Sequence, residues 1–304
     1  MIKYYAWALA EKALSYTPFG KQIYSGVGYL MNRRVRGQDP SIFNSLKMTR
    51  EGRRLIPPGG TILEVGTGWY HHDAFALYLV GDYKIYLFDV EDKAKLVYIK
   101  NYVNYLLENA EAVAAALDID SDAVHAKLEP LLPLNSREEI YAACNFVPCI
   151  TQKTDAPFLP ENSIDFMIGS CVLNHIPPEI LAPELHSLRR MLKHEGWMYT
   201  LIGHDDHYTF HDTSANQFNY YRYSDRLHKL IFESKFEYHN RLVKRDWLGI
   251  FEQCGLGIEK YQPYITESSQ EQIARLPHID ARFARYPLDE LAIIYSYMLL
   301  KRLY

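Results

Sequence analysis

Two stretches of this chain hold residues whose types and spacing suit chemistry. In Thr61 to Asp89, an apolar run of Ile62, Leu63 and Val65 surrounds and precedes the turn Glu64-Val65-Gly66-Thr67-Gly68, and a second run, Ile85 to Phe88, delivers Asp89. A glycine turn bares backbone amides, and an acid at the tip of a neighbouring strand suits ribose hydroxyls, so the stretch predicts a nucleoside site. Tyr70 and His71 follow the turn and are candidate substrate contacts. The second stretch, His204 to Asn240, holds His204, His207, His211, His228 and His239, five of the twelve histidines, with Tyr208, Tyr220, Tyr221, Tyr223 and Tyr238. A histidine oriented by a carboxylate makes a general base near neutral pH. His204, followed by Asp205 and Asp206, is the first candidate base and His207 the second. Activity resting on such a base should rise with pH through an imidazole value near ~6.5, moved upward by an adjacent acid. Asp206, His211, Tyr220 and Arg222 are candidate substrate contacts.

These residues need a scaffold. The first stretch reads as strand, glycine turn, helix stopped at Gly81, and strand. Upstream, a helix around Ile42 to Leu55 precedes Pro57-Pro58-Gly59-Gly60, a sharp break before the first strand. Downstream, Lys93 to Leu117 has apolar residues at three- and four-residue steps and predicts one helix, with a further helical excursion over Asp118 to Asn145. A strand over Trp197 to Ile202 would launch the histidine-rich segment from its carboxyl end, the edge where ligands sit in such sheets. The helix Lys244 to Gly255 and strands Ile258 to Ile265 and Leu291 to Leu300 would complete an α/β, doubly wound, mainly parallel seven-stranded sheet. Met1 to Leu30 predicts a helical cap, followed by a loop of Arg33 to Pro40. The expected division is a cap over 1–42 and a core over 43–304, with insertions at about 93–147 and 204–240. No internal repeat or low-complexity segment occurs.

The third glycine position decides which nucleoside. A dinucleotide fingerprint requires G-x-G-x-x-G, and here that place is His71, so a pyrophosphate fits badly; no G-x-x-x-x-G-K-[ST] occurs either. The E-x-G-x-G form resembles the first motif of class I S-adenosylmethionine (SAM)-dependent methyltransferases. Thr154-Asp155-Ala156-Pro157-Phe158-Leu159-Pro160 resembles that family's D-A-x-x-L-P turn. Ser163 to Ser170 is similar to its fourth strand, and Cys171-Val172-Leu173-Asn174-His175-Ile176 to the V-L-x-H-I that follows. Leu188-Arg189-Arg190-Met191-Leu192-Lys193-His194-Glu195-Gly196-Trp197 resembles L-R-R-x-L-K-P-G-G, with His194 and Glu195 replacing the usual Pro-Gly in a turn. The resemblance spans roughly Phe43 to Gly203. It implies a Rossmann-like fold and SAM as cofactor, held by Glu64, Gly66, Thr67, Gly68, Asp89, Val90, Asp155, Ala156, Ser170 and Cys171. It also implies that His175 lies near the cofactor edge, where it joins the candidate substrate contacts. Metal-dependent relatives carry an acid after the fourth strand; Gly169-Ser170-Cys171 has none, so no metal is expected. A set of His204, Asp206, His207 and His211 would suit an ion by donor type, but a hydrogen-bonded cluster is the simpler reading.

Composition narrows the partners. A net charge of −4 over 304 residues offers no general attraction to a phosphate backbone, so nucleic acid is not expected. Cys144, Cys149, Cys171 and Cys254 show no C-x-x-C spacing, which fits thiols in a reducing cytoplasm. Lys3, Glu11, Lys12, Lys21 and Pro18 interrupt the apolar N-terminus, so it predicts no transmembrane segment and no signal peptide. Tyr4, Tyr5 and Trp7 beside lysines allow a membrane-surface helix as a second reading. The expectation is a cytoplasmic enzyme that moves the SAM methyl to a hydroxyl of a small molecule or carbohydrate, with a homodimer compatible. The alternatives are an amine acceptor, or a SAM-binding protein without transferase activity. The N-terminal cap and the 204–240 insertion, both rich in aromatics, are expected to face each other across a dry acceptor site.

Overall fold

The computed structural model describes residues 2–31, 40–236 and 238–303. The predicted loop of Arg33 to Pro40 therefore lies, Pro40 apart, outside the described residues. In chain order the elements are α1 (Ile2–Ser15), α2 (Gly20–Met31), α3 (Pro40–Gly52), β1 (Thr61–Val65), α4 (His72–Val80), β2 (Lys84–Asp89), α5 (Leu96–Glu108) and α6 (Ala110–Leu117). Next come α7 (Ser121–Leu128), α8 (Arg137–Cys144), β3 (Phe146–Ile150), β4 (Ile164–Ser170), α9 (Pro178–Met191) and β5 (Leu192–Gly203). The chain closes with α10 (Asp225–Ile231), α11 (Lys244–Gln253), β6 (Leu256–Tyr264), α12 (Glu267–Ala274), α13 (Leu288–Leu291) and β7 (Tyr295–Arg302).

The strands form one sheet in the order β3-β2-β1-β4-β5-β7-β6. All run parallel except β7, which is antiparallel to both neighbours. Central strands buried on both faces need apolar residues at successive positions, and β1 supplies them. Ile62 faces one core with Ile85, Leu87, Phe75, Tyr98 and Ile140. Leu63 and Val65 face the other, with Phe88, Leu185, Trp247 and Phe251. Successive side chains of a strand point to opposite faces, so the two cores follow directly from the sequence alternation.

Three expected elements differ. The helix over 93–117 is two helices, broken at Asn109, whose side chain reaches back to the Tyr105 carbonyl at 2.8 Å; short polar side chains compete with the backbone ladder in this way. β3 escaped sequence reading because it is short and contains Pro148, which a sheet tolerates only at an edge, where β3 lies. The last strand begins at Tyr295 rather than Leu291, because Leu288–Leu291 forms a helical turn. Leu291 instead joins Phe218, Tyr220, Tyr221, Ile273 and Phe283 in a third apolar cluster. The chain between β6 and β7 thus packs against the histidine-rich insertion. A fourth cluster, Tyr4, Ala8, Ala215, Tyr223 and Phe232, joins α1 to that insertion.

Candidate functional site

β1 runs out at Val65 into a turn whose glycines are both left-handed, Gly66 at φ +74° and Gly68 at φ +61°. The amides of Gly66 and Thr67 donate to the Phe88 carbonyl at 2.8 and 3.0 Å, stitching the turn to the end of β2. Asp89 is held by the amides of Gly68 and Glu91, one on each carboxylate oxygen, at 3.0 and 3.1 Å. An ionised carboxylate has about four lone-pair sites, so both oxygens keep capacity for a ligand's hydroxyls. The two glycines differ in purpose. A Cβ on Gly66 would sit 2.3 Å from Val172 Cγ2, whereas one on Gly68 would meet only the Gly66 carbonyl, at 3.8 Å. Gly66 is small because the segment after β4 packs on it; Gly68 borders open space.

Two apolar side chains flank Asp89 while remaining open to solvent, Val90 at 48% and Ile150 at 42% exposure. Phe158 stacks on Phe88 with ring centroids 4.4 Å apart, which brings the loop carrying the exposed Asp155 and Ala156 beside the end of β2. Ile150 was not singled out from sequence, because β3 was not located there.

Several residues expected to touch a ligand instead build the turn from beneath. Glu64 accepts from the Asp73 and Ala74 amides at 3.0 and 3.2 Å, capping α4, and from the Thr67 hydroxyl. His71 bonds Thr67 Oγ1 through Nδ1 and Tyr141 through Nε2, the latter at 2.6 Å. Burial pushes the His71 imidazole down to about 3, so it stays neutral. Ser170 donates to Asp73 at 3.1 Å. Burial, joined for Glu64 by the Asp73 charge, pushes both acids above the usual carboxylate range. Tyr70 packs among Tyr98, Tyr102 and His72 in the core rather than at a substrate surface. Cys171 follows β4 in a left-handed conformation, φ 56°, with its amide on the Leu201 carbonyl at 2.8 Å. That kink sets Val172 over Gly66.

Across the sheet edge, the histidines of the insertion separate into different roles. His204 is buried, with Nδ1 at 3.3 Å from the Leu242 carbonyl and Nε2 at 2.9 Å from Ser296 Oγ. The expected partnership with an adjacent acid is absent. Burial pushes this imidazole down to about 4, opposite to the upward shift expected from sequence. His204 ties β5 to β7, which removes the reason for ranking it first as a base. Tyr220 donates to the His204 carbonyl from within the core, His211 stacks on Trp7 at 4.1 Å, and Arg222 donates to Asn219 at 2.9 Å. Among the described residues no three His, Cys, Asp or Glu groups are arranged to hold a metal ion.

His207 lies elsewhere. Its ring centroid is 4.9 Å from that of His175 and 4.3 Å from that of His239. His175 Nδ1 donates to the Tyr238 carbonyl at 2.9 Å, and Asn240 donates to the Asn174, Leu173 and Ile176 carbonyls, at 2.7, 2.9 and 3.0 Å. The end of the insertion is thereby pinned on the turn after β4. Asn174 is fully buried there, and among the described residues neither its side-chain nitrogen nor its side-chain oxygen has a hydrogen-bond partner. The buried Nε2 of His239 also lacks one among the described residues. Asp205 Oδ1, Cys171 Sγ and Asn174 Nδ2 gather around Gly203, at 3.6, 3.7 and 3.8 Å from where a Cβ would stand. Burial raises the Asp205 carboxyl, and the nearby His207 opposes that rise. Asn174, Asp205 and His239 were not proposed as contacts from sequence; Asn174 and His239 stand next to the polar backbone pins at the two ends of this contact, a feature visible only after folding.

Asp206 faces α1 instead. It accepts from the Tyr4 hydroxyl and from the Tyr208 amide, and burial pushes its carboxyl up to about 7. An acid with a raised folded value contributes stability below its unfolded value, near ~4, and loses it as pH rises through the folded value. Asp206→Asn should therefore gain on the parent between about pH 4 and 7, with a slope of at most about 1.4 kcal/mol per pH unit, and level off above that range. Melting temperatures of both proteins across pH 4 to 8 check this; a constant difference would contradict it.

The strand order 3-2-1-4-5-7-6, with the seventh strand alone reversed, now stands with a glycine turn after the first strand and an acid at the tip of the second. This is the class I methyltransferase fold. No protein-family model matches the chain, and no curated protein sequence matches it. Among solved structures it is similar to a SAM-dependent methyltransferase from Methanosarcina mazei, with 11% identity, 83% of this chain and 96% of that chain covered, and a TM-score of 0.45. It is also similar to an S-adenosylmethionine-dependent methyltransferase from Mesorhizobium loti, at 13% identity, 82% and 95% coverage and a TM-score of 0.44. A third is geranyl diphosphate C-methyltransferase from Streptomyces coelicolor, at 9% identity, 84% and 76% coverage and a TM-score of 0.44.

Proposed function

We propose that this chain binds SAM and transfers its methyl group to a hydroxyl of a small molecule or carbohydrate. The observation that carries the cofactor reading is Asp89, fixed by the Gly68 and Glu91 amides beside open space at Gly68. Asp89 would accept from the ribose hydroxyls, Val90 and Ile150 would cover the faces of the adenine, and Asp155 would meet its amino group. The backbone of Gly66 to Gly68 would border the amino-acid end. SAM supplies a methyl on a positively charged sulfur, and transfer needs the acceptor atom in line with it and dehydrated.

The cluster after β4 and β5 has the chemistry for the acceptor. A buried amide or imidazole left without a partner costs on the order of 1–3 kcal/mol, which a ligand hydroxyl would recover. Asn174 offers a donor and an acceptor, and His239 Nε2 a further polar contact. His207, beside Asp205, would take the acceptor's proton, with His175 and His239 enclosing it. Asp89→Ala should remove two ribose hydrogen bonds and weaken SAM binding by about 2 kcal/mol, roughly 30-fold. Calorimetry with SAM tests this, and unchanged affinity would remove the cofactor assignment. Labelled SAM with a panel of hydroxyl and amine acceptors tests the acceptor; label on amines alone would replace the hydroxyl reading.

A further inference from the structure

The N-terminal helices leave an apolar surface that neither the nucleotide edge nor the acceptor cluster uses. On α1 and just after it, Leu9 and Tyr16 are 52% and 63% exposed. At and along α2, Phe19, Ile23 and Val27 recur every four residues on one face and are 70%, 50% and 41% exposed. Leu230 of α10, the helix that packs against α1, is 67% exposed. These are not the residues that the sequence offered for a membrane contact. Tyr4 is buried against Asp206, Tyr5 bonds Tyr223, and Trp7, 40% exposed, stacks one ring face on His211.

Charge says what covers this surface. The chain's 33 basic and 37 acidic residues divide into three and one within residues 1–31, and 30 and 36 in the remainder. The one acid, Glu11, is buried and accepts from Ser234 at 2.6 Å, so it presents no negative charge outward. Lys3 is exposed, Lys21 is exposed and paired with Glu91, and Arg226 and Lys229 are exposed on α10 beside Leu230. Lys235 lies over the Tyr16 ring at 4.4 Å, its charge at the rim of the apolar face. Aromatic and aliphatic side chains bordered by cations, on an otherwise acidic protein, match an anionic lipid interface rather than water. Among the described residues no helix is long and apolar enough to cross a membrane, so the contact would be with the surface layer only.

We propose that the α1–α2 face docks on an anionic bilayer surface, with Phe19, Ile23 and Val27 entering the interfacial layer. The docked face adjoins the nucleotide edge, since Lys21 pairs with Glu91 at 3.2 Å and Tyr24 stacks on Phe236 at 4.6 Å. The docking stands independently of the methyl-transfer reading.

Vesicle co-sedimentation of the full chain tests it, with phosphatidylcholine alone and with added phosphatidylglycerol. Binding should require phosphatidylglycerol and weaken as salt rises. Phe19→Asp with Ile23→Asp should lower partitioning on the order of 100-fold, while melting temperature stays at that of the parent, because both positions are exposed. No binding to phosphatidylglycerol vesicles would overturn the proposal, as would equal binding by the double variant. So would a dimer, seen by ultracentrifugation without lipid, that the double variant dissociates; a second copy of the chain would then be what covers the face.

Discussion

His207→Ala is expected to lower turnover by roughly 10²–10⁴-fold with saturating acceptor while leaving SAM binding intact, the usual range for a general base. The expectation rests on position. His207 is half-buried, ringed by His175 and His239, and close enough to Asp205 to affect its ionisation. His204 provides the contrast. Already bound at both ring nitrogens and buried, it should affect stability when replaced by Gln and leave turnover per folded molecule near the parental value. Rates for both variants, measured beside calorimetric SAM affinity, separate the roles. Near-parental turnover in His207→Ala would remove the base and favour catalysis by positioning alone or an amine acceptor.

Gly66→Ala is expected to be the most destabilising single change in the nucleotide turn, about 2–5 kcal/mol. Two costs add. A left-handed backbone disfavours a Cβ by roughly 1–2 kcal/mol, and overpacking adds typically 1–3 kcal/mol. Val172 cannot retreat freely, because the amide of Cys171 is tied to the Leu201 carbonyl. Gly68→Ala pays the conformational cost but meets no side chain. It should destabilise less while still hindering a ligand that approaches the turn. Chemical denaturation with and without SAM distinguishes the two; equal destabilisation by both substitutions would contradict the packing account.

The contact between the N-terminal cap and the insertion shows what a sequence can and cannot convey. Both segments are aromatic, which suggested that they face one another. The structure presses them directly together, through Tyr4 on Asp206, Trp7 on His211 and Glu11 on Ser234, rather than across a gap. Residue type indicated association, while the partner of each ring depended on how far each segment reached.

The glycine turn, the two apolar strands and the acid between them were legible because local rules govern them. Alternating burial sets the strand faces, left-handed turns select glycine, and a strand tip places its last side chain at the sheet edge. The ordered resemblances from Asp155 to Trp197 extended that frame to the fourth and fifth strands. The roles of the histidines were not legible, because an imidazole looks the same in sequence whether it is bound at both nitrogens or beside a ligand. His204 and His207 are three residues apart, yet one is pulled between Leu242 and Ser296 while the other turns toward His175 and His239. Asn174 appeared only as a variable position in a motif, until folding buried its side-chain amide without a partner among the described residues. Sequence determined the strand, turn and acid that suit a nucleoside; tertiary structure decided which polar groups were left unpaired beside it, because desolvation and hydrogen-bond satisfaction depend on neighbours brought from distant parts of the chain.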